Sequence, residues 1–214
     1  MDMEQVEAAI TCRTRGLIPV HLNGHSCNMG KLAALAEKYH LEILEDAAQA
    51  LGAAYHGRKC GSFGRASIFS FYPAKMLGTP GDGGMILTSD AALARHCTGL
   101  RDNGRMETTT RVECYGWCSR LDNLHAAFLQ MKFKYLSGWI ARRREIAACY
   151  TRELAGVGDL ILPPVSGPEY FDVWQNYVVR SRRRDALAAF LREQGIEVLV
   201  SWPCPLHQQP SLGL

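Results

Sequence analysis

Asp46 follows the apolar run Leu41-Glu42-Ile43-Leu44 and Glu45, and is trailed by the small residues Ala47 and Ala48 and then by Gln49. A carboxylate at the carboxyl end of a parallel strand stands where open α/β sheets bind ligands. The small residues behind it leave room for a flat ring. A carboxylate facing a pyridine nitrogen would keep that nitrogen protonated, which makes the ring an electron sink. The plainer reading of Asp46 is a cap on a helix starting at Ala47. Lys75 lies in Phe69-Ser70-Phe71-Tyr72-Pro73-Ala74-Lys75-Met76-Leu77-Gly78. Apolar and aromatic neighbours desolvate its amine in part, lowering its pKa and favouring the nucleophilic form. The alternative is a surface lysine on a turn. The run Gly78-Thr79-Pro80-Gly81-Asp82-Gly83-Gly84 lets backbone come close to a ligand. Ser70 offers a hydroxyl to a phosphate oxygen, or equally to a neighbouring backbone group.

These residues need a scaffold that gathers strand ends. Residues 3–13 have helical spacing, with Val6, Ala9 and Ile10 on one side. A strand over 16–22, a helix over 28–40 and a strand over 41–44 follow, an order that predicts a right-handed βαβ unit with parallel strands. Further strands are expected at 66–71 and 84–88, with a Pro/Gly-rich excursion over 72–83. Ser89-Asp90 caps a helix over 91–101. Residues 102–118 read as a loop, and an interrupted long helix runs from about Leu121 into the 150s. Pro163-Pro164 and Gly167-Pro168 mark a linker, followed by a strand near 177–180, a helix over 184–194 and a strand over 196–200. The domain division expected is 1–120, 121–158 and 159–214.

The 214 residues are 47% hydrophobic, enough for a core, and a net charge of +3 gives no footprint for nucleic acid. Arg142, Arg143 and Arg144 read as a solvated helix face, with contact to an anionic ligand as the alternative. The eight cysteines form no Cys-x-x-Cys pair and no zinc-like spacing, so reduced thiols in the cytoplasm are expected. No apolar run reaches the length of a membrane span, and the first residues do not read as a signal peptide.

Asp46, Gln49, Ser70 and Lys75, in this order with strands between them, resemble the DegT-type sugar aminotransferases. Further matching segments are Ile18-Pro19-Val20-His21-Leu22-Asn23-Gly24, Gly61-Ser62-Phe63-Gly64, Ser119-Arg120-Leu121-Asp122-Asn123-Leu124-His125-Ala126-Ala127 and Trp202-Pro203-Cys204-Pro205-Leu206-His207. The resemblance implies an α/β fold: the three-layer large domain of the fold-type-I pyridoxal-phosphate (PLP) transferases, with a mostly parallel sheet, and the start of a smaller α+β C-terminal domain. It implies that Lys75 holds the cofactor as a Schiff base and shuttles a proton. Asp46 pairs with the pyridine nitrogen, Gln49 lies beside the ring hydroxyl, Ser70 contacts the phosphate, and His207 and His21 contact substrate. The implied reaction moves an amino group from an amino acid, glutamate by expectation, to a nucleoside-diphosphate keto-sugar. The implied assembly is a homodimer with shared sites.

Two departures from the family pattern matter. Cys118 stands where the family commonly has an asparagine that reaches the partner's cofactor phosphate. By the same resemblance the chain begins partway through the large domain and stops inside the small one. The phosphate cup and a ring-stacking aromatic are then missing, and the chain alone is expected to bind PLP weakly. A sugar dehydratase of the same fold would carry histidine in place of Lys75. A Rossmann dehydrogenase would need a Gly-x-Gly-x-x-Gly turn that Leu22-Asn23-Gly24-His25-Ser26-Cys27 does not supply. A non-catalytic relative that binds PLP or a sugar nucleotide is the remaining alternative.

Overall fold

The computed structural model describes residues 1–106 and 111–213. The chain divides into two compact units, one of residues 1–153 and 164–178, the other of residues 154–163 and Val179 onward.

In the first unit, helix α1 (Met3–Ala9) is capped by Asp2, whose carboxylate accepts from the Glu4 and Gln5 amides. Strand β1 (Gly16–Leu17) leads through Pro19 to helix α2 (Met29–Tyr39) and strand β2 (Glu42–Asp46). The expected strand over 16–22 is shorter because Pro19 has no N–H to give the ladder; pairing resumes only as a bridge from Val20 to Asp46. Helix α2 starts on Asn28, whose Oδ1 accepts from the Lys31 amide, and stops at His40 in the left-handed conformation with φ 54°. Its Met29, Leu32, Leu35 and Ala36 are buried with Leu17, Ile43 and Tyr55.

Strands β3 (Ala54–Tyr55) and β4 (Arg58–Lys59) form a hairpin through His56-Gly57. Both turn residues have positive φ, 46° and 74°, the requirement of a tight two-residue hairpin turn. Strand β5 (Ala66–Ser70) pairs parallel to β2, and β6 (Gly84–Leu87) pairs antiparallel to β5. The four-stranded sheet runs β1-β2-β5-β6 with only β6 reversed, a mostly parallel α/β sheet.

Helices α3 (Ala91–Arg101, capped by Asp90), α4 (Asn123–Phe133) and α5 (Leu136–Glu153) follow. The break expected in the long helix falls between Phe133 and Leu136. Of the expected loop over 102–118, residues 107–110 lie outside the described residues; the rest carries bridges from Asp102 to Cys118 and from Arg105 to Val112. Leu136 and Ile140 of α5 join Ala47, Ala50, Phe69, Phe71, Met76, Leu77 and Val173 in the second core cluster. Residues 164–178 carry β7 (Tyr170–Phe171), which completes a small sheet of order β4-β3-β7.

In the second unit, Ile161 and Arg180 exchange backbone hydrogen bonds of 2.8 and 2.9 Å. Asp159 accepts from the Ser181 hydroxyl and the Arg182 amide. Helix α6 (Arg184–Glu193) forms as expected, but the strands expected at 177–180 and 196–200 do not. Arg180 makes only the bridge to Ile161, and among the described residues 196–200 have no ladder partner. The run is tied instead to helix α6, where the Ile196 amide donates to the Leu191 carbonyl and Arg192 to the Val198 carbonyl.

Candidate functional site

Alternation along a strand sends neighbouring residues to opposite faces. On β2, Ile43 and Glu45 are buried, while Leu44 and Asp46 point the other way; on β5, Ser67 and Phe69 are buried, opposite Ile68 and Ser70. Asp46 pairs in register with Ile68, two residues before Ser70. The carboxylate and the hydroxyl therefore share one face at the carboxyl end of parallel strands. Residues 71–83 leave from that same end of β5 and return at the start of β6, where Phe71 donates to Gly83 and Thr79 to Phe71. Lys75 sits on this excursion, half-buried, its amide donating to the Tyr72 carbonyl.

The donor and acceptor inventory decides what this strand end can hold. Asp46 Oδ1 accepts from the Ala48 amide at 3.0 Å, the turn-capping role its sequence position also allowed. The carboxylate makes no other hydrogen bond among the described residues. The Lys75 amine makes no ion pair or hydrogen bond among them. Ser70 Oγ accepts from the Tyr72 amide at 3.2 Å, which leaves its proton to give. Gln49 Oε1 accepts from the Asn23 amide at 2.7 Å, so its NH₂ remains available. An acceptor carboxylate, an uncommitted amine and a hydroxyl donor fit a ring with a basic nitrogen, an aldehyde and a phosphate.

His21 takes a different place from the one expected. It is wholly buried on the opposite face of the sheet from Asp46, and both ring nitrogens are engaged. The Cys27 amide donates to Nδ1 at 3.1 Å, so the proton sits on Nε2, 3.0 Å from Glu45 Oε2. Glu45 also accepts from the amides of Gly61 (2.7 Å), Phe63 (2.6 Å) and Gly64 (2.8 Å). Burial alone would raise the Glu45 carboxyl; the bonds from His21 and from the backbone of Gly64, Gly61 and Phe63 outweigh it and hold the group below its ordinary value. His21 is thus corrected from a substrate contact to a structural strut beneath the strand end.

Cys118 is exposed beside its bridge to Asp102, and His207 is exposed in a short turn, Leu206–Gln208, of the second unit. The basic cluster on α5 is not simply a solvated face. Arg143 donates to the carbonyls of Trp174 and Gln175, and Arg144 donates to the Asp172 carbonyl and stacks over Phe171. Sequence reading overlooked the segment so held. Gln175 reaches the Lys75 excursion, and no spacing in the sequence links two positions so far apart.

The model of the DegT/DnrJ/EryC1/StrS aminotransferase family matches residues 1–212. A pleiotropic regulatory protein of Geobacillus stearothermophilus is 46% identical over 100% of the chain and 58% of its own length. A dTDP-3-amino-3,4,6-trideoxy-alpha-D-glucose transaminase of Streptomyces venezuelae is 44% identical over 99% of the chain and 55% of its own length. The crystal structure of S. venezuelae DesV in complex with a ketimine intermediate superposes with a TM-score of 0.94 at 43% identity, covering 100% of the chain and 57% of that structure. The chain thus spans a little over half the length of the relatives it matches.

Proposed function

The chain belongs to the DegT/DnrJ/EryC1/StrS aminotransferase family, and from that premise we propose that it carries part of the active site of a PLP-dependent sugar aminotransferase. The amino group would pass from an amino acid, glutamate in our reading, to the keto group of a nucleoside-diphosphate sugar. The observation that carries this reading is the grouping of Asp46, Ser70 and the Lys75 excursion at one end of parallel strands, with the Lys75 amine uncommitted.

When bound, PLP supplies an aldehyde that takes up the amino group and a protonated pyridine ring that withdraws electrons from the substrate carbon. Asp46 would hold the proton on the ring nitrogen by its negative charge. Lys75 would hold the cofactor through its amine and would move the proton at the substrate carbon as general base and then acid. Ser70 would donate to the phosphate, and the free Gln49 amide would serve the ring hydroxyl. A cytoplasmic homodimer belongs to the same reading, with Cys118 directed to the partner's phosphate and His207 to substrate. Among the described residues no helix is long and apolar enough to cross a membrane.

The regulatory name of the G. stearothermophilus relative favours one second reading, a site that binds without turnover. Borohydride reduction of the chain with PLP, followed by peptide mapping, tests the first step; the expected label is on Lys75. A label on Lys59 or Lys132 instead would refute the assignment. Conversion of the bound chromophore by an amino donor then separates the enzyme from the binder.

A further inference from the structure

We infer that Gln175 is the positioning residue for Lys75. Its side-chain amide is hydrogen-bonded to both flanks of the lysine. Oε1 accepts from the Met76 amide at 2.9 Å, and Nε2 donates to the Ala74 carbonyl at 2.8 Å. Gln175 is 8% exposed; its bond to the Met76 amide is buried, and its bond to the Ala74 carbonyl is partly so. The match of acceptor to N–H and donor to C=O fixes the amide's orientation, since a flip would oppose like to like at both ends. One side chain thereby sets the backbone on either side of Lys75 and with it the direction in which the amine leaves the excursion.

Gln175 is itself held from three sides. Its amide donates to the Asn23 carbonyl at 2.9 Å, and the neighbouring Val173 amide donates to the Gly24 carbonyl at 3.0 Å. Arg143 grips the carbonyls of Trp174 and Gln175 at 3.2 Å each. Trp174 has φ 55°, a left-handed backbone that a bulky residue adopts only where its surroundings enforce it. A Cβ on Gly24 would meet the Gln175 nitrogen at 2.8 Å, so a glycine is required for this close approach. The Asn23 amide in turn donates to Gln49, three residues beyond Asp46. Hydrogen bonds thus run from the flanks of Lys75 through Gln175 and Asn23 to the strand end that bears Asp46. Gln175 acts on Lys75 through the backbone of its two neighbours, Ala74 and Met76.

This inference rests on the proposed role of Lys75, and the experiment keeps the two apart. The chain and its Gln175→Met variant are compared by amide hydrogen exchange and by borohydride trapping with PLP. In trapping, Lys75 Nζ adds to the aldehyde carbon with loss of one water, and hydride from borohydride fixes the C–N bond. In the variant, exchange at Met76 is expected to rise at least about tenfold while the β2 and β5 amides keep their protection. Trapping at Lys75 is expected to slow by roughly ten- to a hundredfold, the effect of misplacing a reacting group by an ångström. The label should shift toward Lys59 and Lys132. A merely structural loss would raise exchange throughout and label all lysines alike. Unchanged exchange at Met76, or unchanged trapping at Lys75 in the folded variant, would overturn the inference. If the parent chain takes no label at Lys75, the functional reading fails, and Met76 exchange still decides whether the clamp exists. Should the methionine variant not fold, the isosteric Gln175→Glu variant, which keeps the acceptor for Met76 and sets an oxygen against the Ala74 carbonyl, carries the same comparison.

Discussion

Replacing Glu45 by glutamine keeps the shape of the side chain and removes half of its acceptors. Oε1 serves the Phe63 and Gly64 amides, and Oε2 serves Gly61 and His21. Whichever oxygen becomes NH₂, two donors then face a donor. His21 cannot adapt by turning Nε2 into an acceptor, because Nδ1 already accepts from Cys27. Two charge-assisted bonds at about 1.5–3 kcal/mol each put the loss at about 3–6 kcal/mol. That is a large share of the roughly 5–15 kcal/mol by which a domain is stable. Urea unfolding followed by tryptophan fluorescence measures it. A loss below about 1 kcal/mol at neutral pH would refute the four-bond carboxylate. The pH dependence has a defined sign. A carboxyl held below its ordinary value contributes stability above the unfolded value of about 4.3, and loses it as pH falls through the folded value. The gap between parent and variant should close below about 4, as the carboxylate takes up its proton. A gap that kept its full size in acid would contradict the assignment.

Asp46→Asn separates the turn cap from the cofactor partner. Its Oδ1 still accepts from Ala48, so the apo melting temperature should hold, while PLP affinity falls by the roughly 1.5–3 kcal/mol of a charge-assisted bond; equal affinity in a titration would leave Asp46 a cap alone. Gly64→Ala places a Cβ 2.3 Å from the Ile43 carbonyl oxygen and should cost about 1–3 kcal/mol in thermal or urea unfolding, whereas Gly138→Ala, in open space on α5, should not destabilise. Asn28→Ala removes both the cap on α2 and the acceptor for the Tyr55 hydroxyl, and a loss of about 1–2 kcal/mol is expected by the same measurement.

The elements with local signatures were legible in the sequence. Helices α2 and α3 have a cap residue, helical apolar spacing and a stop within a dozen residues, and the strand-end rule was enough to bring Asp46, Ser70 and Lys75 to one end of the sheet. Strands β3, β4 and β7 are two residues each, too short for alternation to register, and β7 pairs with a strand more than a hundred residues earlier. His21, which the resemblance sets at substrate, instead serves Glu45 beneath the strand end. The signal lay in Glu45-Asp46: adjacent acids on a strand face opposite sides, so if Asp46 points to the site, Glu45 is buried and needs donors. Gly61-Ser62-Phe63-Gly64 supplies three of them, and His21 the fourth. Gln175 carries no local mark at all, because its meaning depends on a backbone 99 and 101 residues away.

That separation has a consequence in time. Strands β1, β2 and β5 all precede Lys75 in the chain, so the sheet end that bears Asp46 and Ser70 can assemble before the segments after it have left the ribosome. Lys75 emerges almost at once, but the side chain that holds its flanks follows about 100 residues later, which at about 5–20 residues per second is roughly 5–20 s of synthesis. Throughout that interval the Ala74 carbonyl and the Met76 amide have only water to satisfy them, and the lysine's direction is unset. A chain interrupted before Asp172 would still carry its lysine and would lack the means to aim it.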